Sequence, residues 1–332
     1  MAVPTFLVPA LENIYISPSE LCNLSCASCY TQKTRPLLTE SDITRFIDQY
    51  QSFLTENKLS LKSILFCGGE VFTLPWFIPL LNSLLSQKIF ITIITNGTIN
   101  HLSQISDPSN CQLLVSLDGP ESVHDQNRGF GNFQKSLSFI EKALKLGFPT
   151  EIFYLVTKDS YPYIDSFSVS GLPLTYLTDR LSSLTTSQVL SIKRNYSTYP
   201  NRHFGCFQLS LQANGQFYGC CESNQPLGTL DDPLSTIVSH FIKSLSPCLS
   251  CPQTLIKQEK RGDVFLGAQR NRLDRQFAPL SEVRLRWKHP KESSQALKCC
   301  GGCCQPGFLC GYPKELNQPD CHLVVQSLND SS

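Results

Sequence analysis

The sequence predicts an α/β fold with a parallel sheet, followed by a small cysteine-rich α+β appendage. Three observations predict it. Short runs of β-branched and apolar residues alternate with longer segments of helical periodicity through the first half of the chain. Each short run ends in a polar cluster, as strands of an open parallel sheet do where ligand loops gather at the carboxyl edge. Cysteine usage then changes sharply, with eleven of the sixteen cysteines lying between Cys206 and Cys321.

The first strand is Asn13-Ile14-Tyr15-Ile16-Ser17, and the loop after it carries Cys22, Cys26 and Cys29. Thr39 to Asn57 reads as a helix, with Ile43, Phe46, Ile47, Tyr50 and Phe53 along one face. Leu61 to Cys67 is the second strand and ends in Gly68-Gly69-Glu70. Ile89 to Thr95 is the third, ending in Asn96-Gly97, and Gln112 to Leu117 the fourth, ending in Asp118-Gly119-Pro120. Phe133 to Leu146 is again helical.

Three thiols at the spacing of Cys22, Cys26 and Cys29 suit an iron–sulfur cluster better than zinc. A closed structural zinc site takes four ligands, and no His or fourth Cys lies in the local loop, the next thiol being Cys67. A cubane has four irons, so three protein ligands leave one iron open to chelate a cofactor and pass it an electron.

Strand, cysteine loop and strand-end motifs together resemble the radical S-adenosylmethionine (radical SAM) superfamily over most of the first half of the chain. That resemblance implies a partial (β/α)6 barrel with a 4Fe–4S cluster on the loop after the first strand. Cys22, Cys26 and Cys29 fall on the family's CxxxCxxC motif, and Tyr30 on the aromatic position after it. Gly68, Gly69 and Glu70 fall on the GGE motif, which implies a carboxylate that receives the methionine ammonium of S-adenosylmethionine and glycines that let backbone approach closely. Ser116 and Asp118 fall on an SxDG segment that lies beside the cofactor in relatives, and Asn96 falls near a position that approaches the ribose. His124-Asp125-Gln126-Asn127-Arg128 looks like the HDxxR run of the peptide- and sulfatase-modifying branch, and Arg128 is expected to offer its fork to the cofactor carboxylate.

Arg180 to Pro200, rich in Ser and Thr, reads as a boundary in which Leu181, Leu184, Val189, Leu190 and Ile192 support a short helix. The expected domains are residues 1–200 and 201–332. Phe207 to Tyr218 is a hairpin around Asn214-Gly215, with Cys206 before it and Cys220-Cys221 after it. An amphipathic helix from Pro233 to Leu245 precedes the pair Cys248 and Cys251, and Cys299-Cys300-Gly301-Gly302-Cys303-Cys304 follows, with Cys310 and Cys321 trailing.

This order resembles the SPASM extension of radical SAM enzymes, which carries one or two auxiliary clusters. By that topology Cys206, Cys220 and Cys303 belong to a first auxiliary cluster, and Cys248, Cys251, Cys299 and one of Cys310 or Cys321 to a second. The sequence departs from the pattern in the basic insertion 252–298, which leaves the number of clusters and the ligating member of each Cys-Cys pair open. In sulfatase-maturing relatives an aspartate follows the hairpin cysteine as a base. Here Cys221 stands in that place with Glu222 after it, the two residues expected to act on the substrate, the rival roles for the thiol being ligation and packing.

Lys and Arg number 28 against 27 Asp and Glu, a net charge of +1 that offers no field for nucleic acid. No apolar run long enough to span a bilayer and no signal peptide is visible, so the expectation is a cytoplasmic protein whose thiols stay reduced. The resemblance implies an oxidoreductase-type enzyme that modifies a peptide or protein side chain, most plausibly a ribosomally made precursor, with flavodoxin or ferredoxin as electron donor. No leader-binding domain is evident in the short segment before the first strand, so a separate leader-recognition protein is expected. The rival readings are a sulfatase-maturase-like enzyme, a small-molecule radical dehydrogenase, and an electron carrier with no chemistry of its own. Gly68-Gly69-Glu70 argues against the carrier, which has no need to hold an amino acid.

Overall fold

The computed structural model describes residues 11–29, 31, 33, 38–178, 184, 185, 188, 192, 209–219 and 226–249, the backbone alone over 242–249. These residues fall into two compact units. One comprises Glu12–Thr175 with Leu211–Gln216, and the other holds the remaining described residues.

The first unit is built on five parallel strands, β1 (Asn13–Ile16), β2 (Ser63–Phe66), β3 (Phe90–Thr95), β4 (Cys111–Ser116) and β5 (Thr150–Val156), adjacent in chain order. Between them run α1 (Glu40–Glu56), α2 (Phe77–Ser86), α3 (Glu121–Arg128) and α4 (Asn132–Lys145). The fold is the expected α/β class. Helix α1 begins where the sequence reading placed it because Thr39 and Asp42 form a capping box: the Thr39 hydroxyl accepts the Asp42 N–H at 3.1 Å, and the Asp42 carboxylate accepts the Thr39 N–H at 3.0 Å.

Register shows which side of the sheet is which. Ile16, Phe66, Ile93 and Leu113 lie in one row, and the Phe66 ring meets Phe77 of α2 edge-on at 5.2 Å, so this apolar face takes the helices. The opposite face is different. Asn13, Ser63, Thr92, Gln112 and Glu151 are buried there, with the Ser63 hydroxyl bonded to Asn13 at 2.5 Å and the Gln112 amide donating to Glu151 at 2.6 Å. Parallel strands covered by helices on both faces would be near-continuously apolar. This sheet instead turns polar groups to the side away from its helices, and by alternation that side carries Ser116 at the carboxyl end of β4.

The sequence reading did not single out α2, α3 or β5. Helix α2 buries the stripe Phe77, Leu80, Leu81, Leu84 and Leu85 but runs for only ten residues, and α3 has only eight. Strand β6 (Leu174–Thr178) follows β5. Strands β7 (Leu209–Leu211) and β8 (Gln216–Tyr218) flank the anticipated Asn214-Gly215 turn, where Gly215 adopts φ +74°. In the second unit β9 (Pro226–Thr229) precedes α5 (Leu234–Leu249). Because α5 continues past Leu245, Cys248 lies within the helix and not after it, as the sequence reading had it.

Candidate functional site

The chain leaves β1 extended and reaches Cys22 along a path pinned by the turn after β2. Gly69 donates its N–H to the Ser19 carbonyl at 2.7 Å, and Glu70 donates to the Leu21 carbonyl at 2.9 Å. A Cβ on Gly68 would stand 2.2 Å from the Ser19 oxygen and one on Gly69 1.9 Å from the Leu21 oxygen, far inside contact distance. Gly68 also adopts φ +129°, which side chains rarely tolerate. The sequence reading had these glycines make room for the cofactor. In the structure they make room for the cysteine loop's own backbone.

Glu70 is buried at the end of that turn, 1% exposed. Its carboxylate accepts the Thr95 hydroxyl at 2.9 and 3.0 Å, the Asn96 N–H at 2.7 Å and the Phe72 N–H at 3.3 Å. These bonded donors are all neutral. Burial pushes the Glu70 carboxyl up to about 7 despite the bonds from Asn96, Thr95 and Phe72, which work the other way. A cation placed against it would reverse the larger effect.

Asn96, expected near a ribose, is turned to the cysteine loop. Its amide nitrogen donates to the Asn23 side chain at 2.9 Å and lies 3.7 Å from the Cys22 sulfur, while its oxygen accepts from the Thr98 N–H at 2.8 Å and hydroxyl at 2.6 Å. Asn23 in turn donates to the Thr98 hydroxyl at 2.8 Å. The Leu24 N–H approaches the same sulfur at 3.4 Å, and the Lys33 ammonium bonds the Leu24 carbonyl. Burial raises the Cys22 thiol above its ordinary value, the Leu24 and Asn96 bonds and the Lys33 charge opposing it.

A second clamp comes from α3. Arg128 binds both oxygens of Asp118, Nε to Oδ2 at 2.6 Å and Nη2 to Oδ1 at 2.9 Å. This corrects the expectation for Arg128: the fork meant for a cofactor carboxylate is engaged by Asp118. Burial works against the Arg128 charge, but Asp118 and the nearby Cys26 and Cys22 outweigh it and hold the guanidinium above its usual range. Burial likewise raises the Cys26 thiol, with Arg128 opposing and Asp118 reinforcing. His124 is wholly buried, accepts the Asp118 N–H on Nδ1 at 3.3 Å, and packs edge-on against Phe133. Desolvation drops its pKa to about 4, so the ring is neutral near pH 7.

Cys22, Cys26 and Cys29 are free thiols, each half-buried, and Cys26 lies within electrostatic reach of the other two. Among the described residues no three His, Cys, Asp or Glu side chains close around one point as the ligands of a single ion do. A cubane makes no such demand, since each thiolate binds its own iron at a separate corner. Ser116, 6% exposed, ends β4 beside Asp118. Sequence reading missed Thr95, Asn23, Thr98 and Asn127. Only adjacency to Cys22, Asn96 and Arg128 marked them in the sequence. Tyr30, Cys206, Cys220, Cys221, Glu222, Cys251, Cys299, Cys303, Cys310 and Cys321 lie outside the described residues, as does most of the 181–192 helix, and of Cys248 only the backbone is described.

Residues 16–161 match the model of the Radical SAM superfamily, a span that takes in every side chain of this site. That stretch is a radical SAM domain. Such domains work with a 4Fe–4S cluster and S-adenosylmethionine. The chain is 27% identical over 132 residues to the sporulation killing factor maturation protein SkfB of Bacillus subtilis (strain 168), a match covering 39% of this chain and 32% of that protein. It thus spans about a third of the length of this curated relative. The radical SAM fold is shared with SuiB of Streptococcus suis bound to the precursor peptide SuiA, at a TM-score of 0.53 and 18% identity over 73% of this chain and 69% of that one. It is shared too with anSMEcpe bound to AdoMet, at 0.56 and 20% identity over 70% and 82%. Among the described residues no helix is long and apolar enough to cross a membrane.

Proposed function

We propose that the protein is an enzyme that holds a 4Fe–4S cluster through Cys22, Cys26 and Cys29 and starts radical chemistry on a peptide or protein side chain. The observation that carries this reading is the pair of hydrogen bonds tying the Gly68-Gly69-Glu70 turn to Ser19 and Leu21, which brings the amino-acid-binding carboxylate to the foot of the cysteine loop. The donor set fits a cluster with one open corner: three thiols on one loop, and a buried carboxylate whose bonded partners are neutral and which a ligand ammonium would complete.

A reduced cluster held by Cys22, Cys26 and Cys29 would supply the electron for reductive cleavage of S-adenosylmethionine, and with it hydrogen abstraction from an unactivated carbon of the substrate. The chain's own residues prepare for this. Glu70 receives the ammonium, and its rigid donors keep it from swinging away. Arg128 and Lys33 bring positive charge toward Cys26 and Cys22 and favour the thiolates that metal binding requires. Asp118 holds Arg128, and Ser116 and Asn96 line the same strand ends.

A ribosomally made precursor peptide as substrate is supported by the maturation protein SkfB and by SuiB with its precursor peptide among the similar proteins. On the same reading the cysteine-rich half, divided from the first near residue 200, is a SPASM-like domain whose auxiliary clusters take an electron from the substrate or wall the peptide, with Cys221 and Glu222 near the reacting side chain. We infer a cytoplasmic enzyme with a flavodoxin or ferredoxin as electron donor.

The test is anaerobic reconstitution with iron and sulfide, then assay for 5′-deoxyadenosine with dithionite and S-adenosylmethionine. The wild type is expected to form it and Cys22→Ala, Cys26→Ala and Cys29→Ala to form none. A wild-type protein that carries a reducible cluster yet yields no 5′-deoxyadenosine is an electron carrier, and the proposal then fails.

A further inference from the structure

We infer that Asn127 is a positioning residue that locks the Cys26–Cys29 segment to the Asp118–Arg128 pair. The inference rests on the reading of Cys22, Cys26 and Cys29 as cluster ligands. Asn127 makes three contacts at once. Its carbonyl accepts the Ala27 N–H at 2.8 Å, its side-chain oxygen accepts the Ser28 N–H at 2.9 Å, and its side-chain nitrogen donates to Asp118 Oδ2 at 2.7 Å. Ala27 and Ser28 are the two residues between Cys26 and Cys29.

The geometry selects asparagine. The position needs an acceptor for Ser28 and a donor for Asp118 on one short side chain, and a carboxamide offers them on two separate atoms. Aspartate would accept from Ser28 but face Asp118 with like charge. Alanine would leave the Ser28 N–H and one bond of Asp118 unmade. The Asn127 contacts bracket the backbone from which Cys26 and Cys29 project, so they govern where those two sulfurs stand. Partners behind metal ligands act in this way, by fixing ligand orientation without touching the metal. The neighbouring Gln126 is exposed and has no part in these bonds, so it supplies the internal control.

The experiment compares reconstituted wild type, Asn127→Ala, Asn127→Asp and Gln126→Ala under anaerobic conditions. The readouts are iron per chain, the rate of cluster bleaching by an iron chelator, the electron paramagnetic resonance spectrum of the reduced cluster with and without S-adenosylmethionine, and the circular dichroism of the apo-protein. Asn127→Ala is expected to keep its secondary structure, to bleach at least several-fold faster than wild type, and to give a broadened spectrum that changes less on adding S-adenosylmethionine. Gln126→Ala is expected to match wild type. Asn127→Asp, of the same size and still able to accept from Ser28, is expected to bleach at a rate between those of wild type and Asn127→Ala, and it carries the test should Asn127→Ala fail to fold.

Wild-type bleaching rates and spectra in whichever of Asn127→Ala and Asn127→Asp folds would overturn the inference. A wild-type chain that takes up no cluster would instead overturn the reading of the three cysteines, so the two failures are distinct.

Discussion

The Glu70 carboxylate accepts the Asn96 N–H at 2.7 Å, the shortest of the buried bonds that join the turn after β2 to the end of β3. It fixes the acid in a place where every bonded neighbour is neutral. Burial outweighs these bonds and the Arg128 charge and raises its titration to about 7, and a ligand cation would lower it.

From this follows a pH dependence of cofactor binding. Ammonium capture needs Glu70 ionised, and with its pKa at about 7 the ionised fraction falls as the medium is acidified. Affinity of the reconstituted protein for S-adenosylmethionine, by equilibrium dialysis, is expected to drop below pH 7, approaching about tenfold per pH unit. Glu70→Gln is expected to bind weakly at every pH and to lose the dependence.

Stability of the apo-protein carries the opposite signs of two buried groups. The Glu70 carboxyl is raised from 4.5 to about 7, so its contribution is present below pH 4.5 and lost as pH climbs to 7. The His124 ring is lowered from 6.5 to about 4, so its contribution is present above pH 6.5 and lost as pH falls to 4. Each is worth about 3 kcal/mol across its window, and over most of the range they cancel. Urea unfolding of the wild type between pH 4.5 and 6.5 is thus expected to be nearly flat, and His124→Phe to expose a decline with rising pH.

Gly69→Ala is expected to cost roughly 2 kcal/mol or more, because the new Cβ stands on the Leu21 carbonyl and backbone must shift to admit it. Since Leu21 precedes Cys22, iron content after reconstitution is expected to fall along with the melting midpoint. Thr39→Ala, which removes the cap of α1 for about 1 kcal/mol, is expected to lower the midpoint alone.

Asp118→Ala leaves a buried guanidinium without its anion and is expected to cost about 3–5 kcal/mol in denaturant unfolding. Adding Arg128→Met removes the stranded charge. The double variant is expected to recover part of the loss, with cluster assembly still impaired.

The strand-end motifs were legible because a parallel sheet forces each run of β-branched residues to deliver its polar terminus to one edge, and the hairpin at Asn214-Gly215 because both residues tolerate positive φ. The roles within the site were less so. Gly69 reads the same in sequence whether it yields to a ligand or to Leu21, and only tertiary contact separates the two. Arg128 is a free fork until Asp118, ten residues earlier, is brought against it across the β4–α3 turn. Asn127 sits in an unremarked slot of its motif, since its partners Ala27 and Ser28 are about a hundred positions away.

The path from Ser19 to Ser28 is stitched to two strand exits, by Gly69 and Glu70 and by Asn96, and to the last turn of α3, by Asn127. Ordering such a segment is a cost that metal capture would otherwise meet. On the proposed reading these bonds make the segment a shaped receptacle for a cluster instead of a slack tether to gather.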